Sequence, residues 1–147
     1  MQVACTIRIA HENAKSLAGY FAEPVDFIGV NFKPGRPSEG EDLIESLVSD
    51  ASREALKHDL AVLASFPPEI PLRAVGYTDN KECADVECIA LSMRRANALQ
   101  AWFVSHGVPA SRFDAPSGFG AARPIRDNAT EAGRAMNRRG YISYEDW

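Results

Sequence analysis

Long apolar runs are missing from this 147-residue chain. No stretch approaches the ~20 consecutive apolar residues of a membrane-crossing helix. A basic excess is missing too: 16 Lys and Arg stand against 20 Asp and Glu, a net charge of −4. A phosphate-binding face needs the opposite balance, so nucleic acid is not an expected partner. No charged-then-apolar leader is visible at the N-terminus. That leaves two expectations: a cytoplasmic chain, or one whose export signal has been trimmed. Histidine is scarce and scattered at His11, His58 and His106, the last two at helical positions. No nucleophile elbow, phosphate loop or zinc spacing occurs, so the expectation is no enzyme, no cofactor and no metal.

Cysteine is also scarce: Cys5, Cys83 and Cys88. Cys83 and Cys88 enclose four residues of a loop-like stretch. They read either as a short disulfide, which implies an oxidising compartment, or as two reduced thiols. A metal site would lack two of its four ligands. Val3-Ala4-Cys5 has a faint likeness to the end of a lipoprotein signal, but the upstream apolar run is absent. An ordinary strand cysteine is the preferred reading.

What is present is ordinary globular material, 46% hydrophobic and 24% charged, enough for one domain with a sizeable core. Val3 to Ala10 alternates as a strand, and Glu12 to Phe21 has helical spacing. Val25 to Phe32 reads as a strand closed by Lys33-Pro34-Gly35. Arg36 to Asp42 is a surface loop, with a short helix possible over Leu43 to Val48. Ser49 or Asp50 caps a helix with the stripe Leu56, Leu60, Leu63 and Phe66, stopped by Pro67-Pro68. Leu72 to Tyr77 is a strand, and Thr78 to Ala90 a loop. Leu91 to His106 is an amphipathic helix with the stripe Leu91, Ala98, Leu99, Trp102 and Phe103 and Gly107 beyond its end. Arg112 to Ser117 reads as an edge strand despite Pro116. Asn128-Ala129-Thr130-Glu131 opens a short helix ending near Met136. Arg139 to Tyr144 is the last strand. This alternation predicts an α/β two-layer sandwich with helices on one face of a sheet and right-handed crossovers.

Charges cluster at element ends. Asp79 follows the strand in Gly76-Tyr77-Thr78-Asp79. It reads as a turn residue capping its own loop, or as a site anion at the sheet's rim. Arg95 lies in the first turns of the next helix, where a cation opposes the helix dipole, so a partner anion is expected: a ligand carboxylate or Asp79. Its planar fork suits bidentate contact with a carboxylate. Arg94 reads as a solvated residue or a salt-bridge partner elsewhere. Arg138 and Arg139 read as strand-edge charge, or as part of the same site. A pocket holding a fixed anion and fixed guanidinium groups suits a ligand with both an ammonium and a carboxylate.

The order and wording of these motifs resemble the C-terminal domain of outer membrane protein A (OmpA), with the peptidoglycan-associated lipoprotein and the stator protein MotB. That family runs Gly-His-Thr-Asp, Leu-Ser-x-x-Arg-Ala, Gly-x-x-x-Pro, Asn-Arg-Arg. Here the matches are Gly76 to Asp79, Leu91 to Ala96, Gly120 to Pro124, and Asn137 to Arg139. The resemblance covers residues 49 to 144, with Val25 to Phe32 as the first strand. It implies an OmpA-like β-α-β-α-β-β mixed sheet over 25–147, an insertion at about 33–48, and an N-terminal strand and helix extension over 1–24. It implies a periplasmic module that binds peptidoglycan without catalysis and associates with the outer membrane through a segment upstream. Carried over, Asp79 and Arg95 hold the two charges of the stem's diaminopimelate. Thr78 and Asn80 add neutral hydrogen bonds, and Arg139 lines the far wall. The implied compartment favours the Cys83–Cys88 disulfide. A scaffold domain that kept the fold and lost the ligand is the alternative.

Departures from the pattern carry expectations of their own. Tyr77 replaces the histidine and alters packing. Cys88 replaces an asparagine, in a loop one residue longer. Lys33 replaces an aspartate, removing an acidic wall and adding a positive charge.

Overall fold

A computed structural model of the chain describes residues 27–144. The expected strand and helix over residues 3–21, Cys5 and the 1–24 extension lie outside these residues. The elements are β1 (Val30–Asn31), α1 (Leu43–Ser46), α2 (Asp50–Ala64), β2 (Arg73–Gly76), α3 (Val86–Ser105), β3 (Ser117–Gly118), α4 (Glu131–Asn137) and β4 (Arg139–Ser143). A 3₁₀ turn spans Ala110–Arg112.

The four strands form one mixed sheet in the order β1-β4-β2-β3. β4 is antiparallel to both β1 and β2, and β2 is parallel to β3. The core is built from α2 and α3 residues (Leu56, Leu63, Ala96, Leu99, Phe103) against sheet residues (Val30, Ala74, Ile142). This is the two-layer sandwich expected from alternating elements. The predicted stripes hold: Leu56, Leu63, Phe66, Leu91, Leu99 and Phe103 are buried, while Leu60, Ala98 and Trp102 are partly buried against them.

Gly76 shows how tightly the layers meet. A Cβ built there would lie 2.1 Å from the Ser92 carbonyl oxygen of α3. Helix and strand therefore approach at backbone distance, which only glycine permits. Ser92, with no exposure, completes the seam. Its hydroxyl donates to the Ile89 carbonyl at 2.8 Å and accepts from the Gly120 amide at 2.9 Å.

Three boundaries differ from expectation. β1 is shorter than Val25 to Phe32 because the Ile28 and Gly29 amides donate to the Asp59 carboxylate of α2, each at 2.9 Å, rather than to a strand. α3 begins at Val86 rather than Leu91. Its first turn leaves Val86 78% and Ile89 48% exposed, so no buried apolar stripe announces it. The third strand is not continuous over Arg112 to Ser117. Phe113 makes an isolated bridge with Leu72, and pairing resumes only at Ser117. Between them lies Pro116, which has no N–H to give to a ladder.

Candidate functional site

Asp79 leaves the end of β2 and is 1% exposed. Its Oδ1 accepts from the Lys81 and Glu82 amides at 2.6 and 2.7 Å. Its Oδ2 accepts from Arg138 Nη1 at 2.7 Å. The turn-capping reading holds, and the same carboxylate pairs with Arg138. Burial pushes the Asp79 carboxyl up, but the Glu82 and Lys81 amides and Arg138 outweigh it and hold it below the usual carboxylate range. Arg138 also donates to Glu131 at 2.6 Å. Burial pulls its guanidinium down, and the two carboxylates more than restore it, leaving it above its ordinary value.

Arg95 projects from α3 and has no exposure. All five of its N–H groups find acceptors. Nε donates to the Arg36 carbonyl at 2.8 Å. Nη1 donates to the Tyr77 carbonyl at 2.9 Å and to Glu82 at 2.8 Å. Nη2 donates to the Lys33 carbonyl at 3.2 Å and to Glu82 at 2.7 Å. The guanidinium lies 4.9 Å from the Phe32 ring centre. The partner anion of Arg95 is Glu82, neither of the two that its position suggested, a ligand carboxylate or Asp79. Asp79 and Arg95 meet across it, since the Asp79 amide donates to the same carboxylate at 3.0 Å.

The insertion after β1 is therefore not a detached surface loop. Its carbonyls at Lys33 and Arg36 wrap Arg95, and the Pro37 carbonyl accepts from Arg94 Nε at 2.9 Å. The Lys33 ammonium turns away and donates to the Glu45 carbonyl at 3.0 Å. The positive charge expected in the site wall is spent on the insertion itself.

Arg138, not Arg139, meets Asp79. Side chains alternate along a strand. Gly140 and Ile142 pack towards the helices, so Arg139 shares the other face with Tyr141. There its guanidinium lies 3.7 Å from the Tyr77 ring centre. Tyr77 stacks between Phe119 and Tyr141, with ring centres 5.4 and 5.9 Å away. Burial and the Tyr141 hydroxyl push the Tyr77 phenol well above its ordinary value. Burial pulls the Arg139 guanidinium down. Thr78 is 1% exposed, and Asn80 is exposed on the loop. Three buried atoms here, Thr78 Oγ1, Arg138 Nε and Arg139 Nη1, have no hydrogen-bond partner among the described residues.

Cys83 and Cys88 form a disulfide, with Cα atoms 5.1 Å apart. It ties the loop after Asp79 to the first turn of α3. Asn137, with no exposure, is more than a turn residue. Its Oδ1 accepts from the Ile125 and Arg126 amides, and its Nδ2 donates to the Arg126 carbonyl and Asn128 Oδ1. It pins the loop that leads to α4.

Glu82 is absent from the sequence reading, and the pairing of Arg138 with Asp79 is not specified by it. Arg138 was legible in principle, because strand parity places it on the side of Gly140 and Ile142. Glu82 carried no signal: Asn80-Lys81-Glu82 has the composition of any solvated turn. Among the described residues, no group of His, Cys, Asp and Glu could hold a metal ion. No helix there is long and apolar enough to cross a membrane.

The sequence profile of the OmpA family matches residues 45–138. Outer membrane porin F of Pseudomonas fluorescens is 42% identical over 90 residues, covering 59% of this chain and 27% of that protein. Peptidoglycan-binding protein ArfA of Mycobacterium tuberculosis is 39% identical over 72 residues, covering 49% of this chain and 22% of that protein. The chain thus matches less than a third of either relative's length. The crystal structure of the peptidoglycan-associated lipoprotein from Burkholderia pseudomallei superposes with a TM-score of 0.64 at 25% identity. That match covers 80% of this chain and 89% of the other.

Proposed function

Because the chain belongs to the OmpA family, we propose that it is a non-catalytic module that binds peptidoglycan through the diaminopimelate of the peptide stem. Its place is the periplasm, where it tethers the outer envelope to the cell wall. The side-chain end of diaminopimelate carries one ammonium and one carboxylate. Arg95 takes the carboxylate with its planar fork, and Asp79 takes the ammonium. The Thr78 hydroxyl and the Asn80 amide add neutral hydrogen bonds; Arg139, expected at the far wall, lies on the other sheet face over Tyr77 and takes no part.

One observation carries the reading. Arg95 and the Asp79 backbone converge on a single carboxylate, with Arg95 gripping it at 2.7 and 2.8 Å. That carboxylate is Glu82, and a buried guanidinium holding it beside Asp79 supports a reading in which a ligand carboxylate takes the same place. The Thr78 hydroxyl, buried and unpaired among the described residues, supports the neighbouring hydrogen bond. The names of ArfA and of the Burkholderia lipoprotein point the same way.

Titration with a diaminopimelate-containing stem peptide tests the reading. Asp79→Asn keeps the side chain's size and removes its charge. It is expected to weaken binding by about 10- to 100-fold, the worth of one charge-assisted hydrogen bond. Equal affinity of variant and wild type would sink the site, and melts run in parallel confirm that the variant is folded.

A second reading also has an observation behind it. The fork of Arg95 already holds Glu82, which suits a scaffold domain that kept the fold without the ligand. Incubation with purified sacculi separates the two: retention of the wild-type protein rejects the scaffold reading.

A further inference from the structure

Glu82 belongs to none of the motifs that carry the family resemblance, yet its carboxylate sits at the centre of the site. It accepts from the Gly35 amide at 2.8 Å and the Asp79 amide at 3.0 Å. It accepts from Arg95 Nη1 and Nη2 at 2.8 and 2.7 Å. Four donors from three chain segments converge on two oxygens, and the side chain is 2% exposed. This is the donor set of a carboxylate receptor.

The occupant is delivered by a surface loop. Asn80, Lys81, Ala84 and Asp85 around it are exposed. The Cys83–Cys88 disulfide holds the loop against α3. The loop backbone is tied by this disulfide and by the two amides given to Asp79 Oδ1, and from it the Glu82 side chain alone reaches into the cradle.

Charge accounting sets the rule for any incoming ligand. Arg95 is fully buried, and an unpaired buried guanidinium is strongly destabilising. The cradle must hold an anion whenever Arg95 stays inside. An external carboxylate that took the place of Glu82 would leave Arg95 paired, with Glu82 free to go to solvent. Displacing the loop would also release Asp79. Its Oδ1 is taken up by the Lys81 and Glu82 amides while the loop is in. With the loop out, those lone pairs face an incoming ammonium.

We propose that Glu82 is an internal occupant of the cradle of Gly35, Asp79 and Arg95 and competes there with any external carboxylate. The identity of the natural ligand rests on the wall-binding reading; the competition does not.

Glu82→Ala tests both parts. Its melting temperature is expected to rise with added acetate, relative to chloride at equal ionic strength, while that of the wild type does not. The diaminopimelate-containing peptide is expected to bind the variant about tenfold or more tighter, because the occupied state no longer reduces the competent fraction. A variant whose melt ignores acetate overturns the proposal. So does peptide binding to the wild type that equals or exceeds binding to an acetate-responsive variant. An acetate response with no peptide or sacculus binding by either protein leaves the receptor standing and removes the wall-binding reading. Where Glu82→Ala does not fold alone, refolding by acetate counts as the expected response. Glu82→Gln keeps the volume and removes the charge, so it too is expected to bind the peptide more tightly than the wild type. Weaker binding by Glu82→Gln overturns the proposal.

Discussion

Arg138→Ala is expected to lower stability by about 3–5 kcal/mol near neutral pH, measured by urea unfolding, because it strands a buried carboxylate. Arg138 and Asp79 are 3% and 1% exposed, and their 2.7 Å contact joins the start of β4 to the end of β2. Exposed ion pairs contribute little, typically below about 1 kcal/mol, so the burial is what makes this pair matter. The loss is expected to depend on pH. Asp79 has its carboxyl held below the usual range. The stability it contributes is fully present above the unfolded value of about 3.9 and is lost as pH falls through the lower folded value. Without Arg138 the Asp79 carboxyl rises, and once protonated it no longer needs a cation. The gap between variant and wild type should therefore narrow as pH drops below about 4. A gap that is constant with pH would mean that the pair's charges are not the source of the loss. Glu131, the exposed third partner, is also held below its ordinary value, chiefly by its hydrogen bond to Arg138. Glu131→Gln serves as the control, with a much smaller effect.

Asn137→Ala should cost about 2–3 kcal/mol through a different mechanism. Asn137 forms four hydrogen bonds from a position with no exposure. Alanine leaves the Ile125 and Arg126 amides and the Arg126 carbonyl without their partner, and each such loss costs up to about 1 kcal/mol where water can partly replace it. The damage is local to the loop before α4. Hydrogen exchange at Ile125 and Arg126 should accelerate more than exchange at the α3 amides. Uniform acceleration would instead indicate global loosening and would count against a clamp specific to this loop.

The two results bear on why the Asn-Arg-Arg motif occurs as a unit. Asn137 closes α4 and pins its approach. Arg138 turns inward to the Asp79 carboxylate. Arg139 turns outward over the Tyr77 ring. Three successive residues thus serve a loop, a buried ion pair and an aromatic face. Strand parity separates the last two.

The sequence by itself determined the order of elements, the helical stripes and the family. Apolar residues at helical spacing have to face a core. The motifs also singled out Asp79 and Arg95 as candidate site residues. Only the tertiary structure decided who pairs with whom. Hydrogen bonds to buried charges depend on side chains meeting from distant segments, and spacing along the chain does not encode that meeting. Glu82 became the occupant of the Arg95 fork because a disulfide, a turn capped by Asp79 and the insertion after β1 bring three segments to one point. Read alone, that glutamate is one of many solvated acids. Folded, it is the carboxylate that the buried arginine requires.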